Sequence, residues 1–286
     1  VWDRKSDYSF KETLLPVSET LLYFTDDTAS VPEAPKKKRL IFLRSCEMNA
    51  LRRLDEMYLH SGPADIYYQR IRQEAKFVLM GCEHPFDSCF CAAMGTNTCE
   101  GYHAYAHLEE DRLYLDIRDE ELEEDTRGLE AQTAVQPVRY AKENAVSVNV
   151  PETLPGNAAA LDLWKEYSSR CISCGRCNFV CPTCTCFTMQ DVFYRDNDGR
   201  RSGERRRVWA SCQVDGYTDM AGGICFRKDP GERMRFKVLH KISDYKKRFG
   251  YPMCVGCGRC ENVCPEYISY IECLNKLNSA GKGGKQ

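Results

Sequence analysis

One pattern occurs twice in this chain of 286 residues. Cys171-x2-Cys174-x2-Cys177-x3-Cys181-Pro182 returns as Cys254-x2-Cys257-x2-Cys260-x3-Cys264-Pro265. Few features restrict a fold as tightly, because side chains that must share metal fix the backbone between them. Three thiolates at i, i+3 and i+6 on one tight loop can hold three irons of a cubane. The fourth, beside a proline that stops the loop, points away toward a second site. Zinc would use the CxxC pairs and leave the third cysteine of each run without a purpose.

The spacing is that of the two-cluster ferredoxins, where the fourth cysteine of each run serves the opposite cluster. It predicts one [4Fe–4S] cluster on Cys171, Cys174, Cys177 and Cys264, and another on Cys254, Cys257, Cys260 and Cys181. Gly175 and Gly258, one inside each loop, suit backbone that wraps closely around a cube. Metal binding of this kind is folding energy, so loss of any one ligand is expected to destabilise its domain.

The chain holds 18 cysteines, which calls for disulfides or metal. Close CxxC pairs are poor disulfide frameworks, and the charged opening VWDRKSDYSF carries no secretory signal. No apolar run reaches the ~18–20 residues of a membrane span. A soluble, cytoplasmic, metal-bearing protein is expected. The net charge of −2 gives no pull toward nucleic acid or lipid. GxxxxGK[ST], GxGxxG after a strand, and HExxH are all missing, so neither ATP nor NAD(P)H is expected to bind this chain itself.

Cysteine density divides the sequence near residue 155. Residues 1–155 read as an α/β domain. RLIFL and FVLM are strands flanking helices in EMNALRRLDEMYL and ADIYYQRIRQE, which suggests a parallel crossover; RLYLDI is a further strand. Residues 156–286 read as a mostly α-helical, two-cluster ferredoxin-like domain. It opens with a helix in GNAAALDLWKEYSSR and closes with one in YISYIECLNKL, followed by a Gly/Lys tail expected to be disordered. The remainder is expected to be short helices and loops pinned by metal.

Ten thiols remain. Cys46 follows the RLIFL strand and Cys82 follows FVLM, so parallel strands would bring both to one sheet edge. With Cys89 and Cys91 they form the candidate set for a third [4Fe–4S] cluster; the alternative is buried free thiols. Cys184, Cys186 and Cys212 read as cysteines packed beside a cluster, or as rival ligands of the third centre. Cys99, Cys225 and Cys273 are isolated and read as core, and His84 and His103 as surface or hydrogen-bonding residues. The basic ERRR at 204–207 and the acidic stretch at 107–130 read as solvated faces, or as docking surfaces for partner subunits.

The segments CPTCTCFTMQDV, ERRRVWASCQVDGYTDMAGG and YPMCVGCGRCENVCPEYIS resemble the iron–sulfur A subunits of anaerobic sulfite reductases. This group also includes the β subunits of cytosolic sulfhydrogenases. The likeness extends through KSDYSFKETLLPVSETLLYF, FLRSCEMNALRRLDEMYL and GCEHPFDSCFCAAMG. It implies an electron-transfer subunit that makes and breaks no substrate bonds itself. A flavoprotein subunit would oxidise NAD(P)H, and a sirohaem subunit would reduce sulfite to sulfide. The group's cysteine pattern also covers Cys46, Cys82, Cys89 and Cys91. The FTDDT segment and the short ending favour the sulfite reductases; a nickel–iron hydrogenase partner is the alternative.

Overall fold

The computed structural model describes residues 2–34, 36–129, 132, 136–195 and 201–283. A mixed sheet carries the first region: β2 (Arg39–Leu43), β3 (Ala75–Met80), β4 (Ala104–Glu109) and β5 (Arg112–Ile117) lie in that order. β2, β3 and β4 run parallel, and β5 returns antiparallel to β4. Between β2 and β3 the chain passes through helices α1 (Ser45–Tyr58) and α2 (Ile66–Gln73), the crossover expected from the sequence. Ala50, Leu51 and Leu54 of α1 pack with Leu43, Phe77 and Leu79 of the strands. Parallel strands whose side chains are covered by helices read as continuous apolar runs, as FVLM does.

The second sheet was not foreseen. β1 (Ser18–Thr25) pairs antiparallel with β7 (Arg201–Trp209), which pairs with β6 (Phe187–Arg195), while Ala29–Ser30 edges β1. Residues from the start of the chain therefore share a sheet with residues some 180 positions later, across the division near 155. The segment between the cysteine runs is not only short helices and loops. FTMQDVFYR is rich in Thr, Val and aromatics, which favour a pleated surface, and an Asp-Gly pair at 198–199 is a hairpin signal. Both cues stand in the sequence.

Charge explains how this sheet holds. Arg207, buried in β7, pairs with Glu19 of β1 at 2.6 Å and with Asp65 at 2.5 Å. Asp65 also caps α2, accepting from the amides of Tyr67 and Tyr68. Of the ERRR segment, Arg205 pairs with Asp191 across the hairpin, Arg206 pairs with Glu204 along its own strand, and Arg207 is no solvated residue. Within the acidic stretch the helix Glu120–Thr126 buries no residue, and Lys38 and Lys76 pair with Glu121; Glu130 lies outside the described residues.

The C-terminal region packs α3 (Leu163–Arg170), α4 (Pro230–Leu239) and α5 (Tyr270–Gly283) around Trp164, Tyr167, Val238 and Leu274. α4 begins at Pro230 with Asp229 as its cap and Glu232 reaching back, a capping box. The last helix runs into the Gly/Lys tail as far as Gly283; residues 284–286 lie outside the described residues. Among the described residues no helix is long and apolar enough to cross a membrane.

Candidate metal centres

Each cysteine run forms a loop followed by a single helical turn, Arg176–Phe179 in the first and Arg259–Val263 in the second. The turns touch each other, so the loops face across a common boundary. Gly175 and Gly258 cap these turns with φ of 75° and 68°, a left-handed conformation that costs other residues strain. Their immediate crowding comes from neighbouring loops. A Cβ on Gly258 would stand 2.1 Å from the Ser88 carbonyl, and one on Gly175 would stand 2.7 Å from Val214.

The first cavity is lined by Cys171, Cys174, Cys177 and Cys264. The second is lined by Cys181, Cys254, Cys257 and Cys260. The first cavity thus joins three cysteines of one run to Cys264 and Cys260 of the other, and the second joins three of the other run to Cys181 and Cys177. A third cavity is lined by Cys46, Cys82, Cys89 and Cys91. β2 and β3 end at Leu43 and Met80, which puts Cys46 and Cys82 just beyond the same edge of the parallel sheet. The loop of Cys89 and Cys91 is held against the second cysteine run: Phe90 N–H donates to Gly256 O at 2.8 Å, and Thr96 Oγ1 donates to Val255 O at 2.7 Å.

The three cavities adjoin. Cys177, Cys260, Lys237 and Tyr270 line both the first and the second. Between the second and third, Cys89 Sγ lies 3.7 Å from Cys257 O, and Lys5 Nζ donates to that same carbonyl at 2.9 Å.

The surroundings are cationic. Lys11, Lys237, Lys241 and Arg259 are all buried. A buried charge costs several kcal/mol unless paired. Arg259 pairs with Glu47, which also caps α1. The lysines turn to sulfur loops instead. Lys241 Nζ lies 3.3 Å from Cys181 Sγ, and Lys11 donates to Cys184 O at 3.1 Å while sitting over the Trp209 ring. Lys237 faces Cys177 and Cys260; burial opposes its charge, yet those two sulfurs hold it above the ordinary lysine range. Buried ammonium groups aimed at cysteines fit an anionic thiolate cluster.

Burial pushes the thiols of Cys91 and Cys254 up to about 12 and raises those of Cys46 and Cys260. Burial also opposes ionisation of Cys181, but Lys241 outweighs it and brings that thiol below its usual value. Backbone amides donate to sulfur as well, Gly256 N–H to Cys254 and Ile268 N–H to Cys264. Such N–H···S bonds are among the contacts that set cluster potentials. The donor set fits iron–sulfur clusters in all three cavities: at least four thiols line each enclosed space, with neutralising cations beside them.

Cys184, Cys186 and Cys212 line none of these three cavities; Cys186 meets both of the others. Cys273 is fully buried in the C-terminal core and Cys99 packs against the N-terminal one. His103 Nδ1 accepts from the Phe77 amide at 3.0 Å, a hydrogen-bonding role, and His84 is exposed. The lysines and Arg259 were missed in the sequence. Lys237 and Lys241 stand four apart on one helical face, a spacing that surface lysines also show.

Residues 170–268 match the family described as 4Fe-4S dicluster domain. Over 260 residues the chain is 30% identical to sulfhydrogenase 2 subunit beta of Pyrococcus furiosus, covering 83% of this chain and 73% of that protein. No solved structure matches.

Proposed function

The chain belongs to the family of the sulfhydrogenase β subunit, and we propose that it is the electron-transfer subunit of a hydrogenase-type complex, bearing three [4Fe–4S] clusters. The ligands are Cys171, Cys174, Cys177 and Cys264 for the first cluster, and Cys254, Cys257, Cys260 and Cys181 for the second. Cys46, Cys82, Cys89 and Cys91 hold the third. Each cluster, when bound, supplies a one-electron redox centre. The chain's residues set the order of those centres and their charge. Lys237 and Lys241 neutralise the first and second sites, and Arg259 and Lys5 stand between the second and the third.

The observation that carries this reading is the row of adjoining cavities, joined by Cys177, Cys260 and Lys237 on one side and by the Cys89–Cys257 contact on the other. A scaffold that only assembled partners would have no use for such adjacency. The partners proposed are a flavoprotein subunit that oxidises or reduces NAD(P)H and a nickel–iron subunit. The relative's name favours the hydrogenase over sulfite reduction, which the sequence motifs had ranked first.

Iron and acid-labile sulfide per chain after anaerobic purification test the clusters. About twelve of each mean three cubanes, whereas about eight would return Cys46, Cys82, Cys89 and Cys91 to the core. Co-purification tests the acceptor. Nickel in the complex supports the proposal, and sirohaem absorption would overturn it in favour of sulfite reduction.

A further inference from the structure

Cys184, Cys186 and Cys212 lie outside the twelve proposed ligands, yet the fold gathers them from two separate segments. Cys186 sits in side-chain hydrogen-bond contact with both Cys184 and Cys212. The segments are tied at that point, since Ala210 N–H donates to Cys186 O at 3.0 Å. Cys184 and Cys212 are buried, whereas Cys186 keeps partial access to solvent. The Cys212 sulfur accepts from Asn178 Nδ2 at 3.1 Å and from Gln213 Nε2 at 3.8 Å. Two N–H donors on one sulfur favour its thiolate, the form that gives up electrons.

What touching thiols can do is form a disulfide. A redox neighbour is close. Cys184 lies one turn beyond Cys181, its amide bonded to the Cys181 carbonyl at 3.2 Å, and Lys241 bridges Cys181 Sγ and Thr183 Oγ1.

We propose that Cys186 and Cys212 form a dithiol–disulfide centre that exchanges two electrons with the cluster held at Cys181. The inference rests on the cluster reading above. In the oxidising direction the Cys212 thiolate and the Cys186 thiol join in one S–S bond. One proton leaves through the solvent-accessible side of Cys186, and two electrons pass singly to the neighbouring iron–sulfur cluster as it is turned over. Reduction reverses each term. Such a centre lets a line of one-electron carriers hold an electron pair. Cys184 is the flanking thiol. It is two residues from Cys186, and a bond between them would close a small, strained ring.

The test counts free thiols. The full chain, purified anaerobically with its clusters, is poised with dithionite or with a one-electron oxidising mediator, quenched in acid, alkylated and weighed. The reduced protein should take label on all 18 cysteines and the oxidised protein on two fewer. Cys184→Ser should keep that difference of two labels. Cys186→Ser, Cys186→Ala and Cys212→Ser should abolish it while retaining wild-type iron. Equal labelling of the wild type in both states overturns the centre, and a difference that survives Cys212→Ser overturns the pairing. Iron and sulfide counted on the same samples report on the clusters separately. A missing label difference at full iron content therefore refutes this inference alone.

Discussion

The tetrapeptide Cys-Gly-Arg-Cys occurs in both cysteine runs, and its two copies meet opposite surroundings. At Cys174–Cys177 the loop lies at the surface: Cys174 and Arg176 are exposed, and Ile172 and Tyr267 beside the first cavity are 59% and 87% exposed. At Cys257–Cys260 the same four residues lie beneath the N-terminal segment. Arg259 reaches Ser6 and Glu47, Gly258 abuts Ser88, and Cys257 joins the core with Leu51 and Phe77. A local motif thus specifies a ligand loop, while its depth is decided by what the rest of the chain lays over it. The first cavity lies nearest the surface, and the second lies between it and the third.

The largest contrast is expected on removing ligands. Cys257→Ser should release about four of twelve irons and lower the thermal unfolding temperature sharply, because Cys257 is buried in the N-terminal core with Leu51 and Phe77. Cys174→Ser should also empty one site, yet leave the other two filled and lower the unfolding temperature less. Iron analysis with thermal unfolding under nitrogen reads both, and equal destabilisation would break the contrast between surface and interior loops.

The arginines come next. Arg259→Met leaves Glu47 buried without its partner, a change that typically costs about 3–5 kcal/mol. Arg176→Met, at the equivalent exposed position, should fall within about 0.5 kcal/mol of wild type. Anaerobic denaturant titration measures both. Gly258→Ala and Gly175→Ala share a left-handed backbone cost of about 1–2 kcal/mol. The former adds a clash with the Ser88 backbone carbonyl, whereas the latter meets a Val214 side chain that can turn aside. Gly258→Ala should therefore be the more damaging by the same titration.

What could be read in the sequence divides along the same line. Ligand spacing is local, so crossed sets could be proposed from the sequence, and Cys264 lines the first cavity and Cys181 the second. The β2–α1–α2–β3 crossover was legible too, because apolar runs and helical stripes repeat within a few residues. The pairing of β1 with β7 was not, since it joins residues about 180 apart and no local period announces it. For the same reason Arg259 looked like Arg176. Glu47, which caps α1, and Ser6, both more than 200 residues earlier, distinguish them. The buried lysines escaped notice because lysine is almost always exposed, and its exceptions need a partner that spacing alone does not disclose.

The smallest expected effect tests what couples the two loops. Lys237 is buried between Cys177 and Cys260, one from each run, and lines both cavities. Reducing a cluster adds one negative charge, which a nearby ammonium stabilises, so Lys237→Met should move both sites to more negative potentials. The size follows the attraction lost, roughly 60 mV for each 1.4 kcal/mol in a one-electron couple. Lys237→Arg should restore most of it. Lys276→Met, which removes an exposed lysine paired with Glu166, should move neither site. A redox titration followed by electron paramagnetic resonance resolves the sites. If only one potential shifted, Lys237 would belong to one loop, and the first and second sites would be electrostatically separate in spite of their common wall.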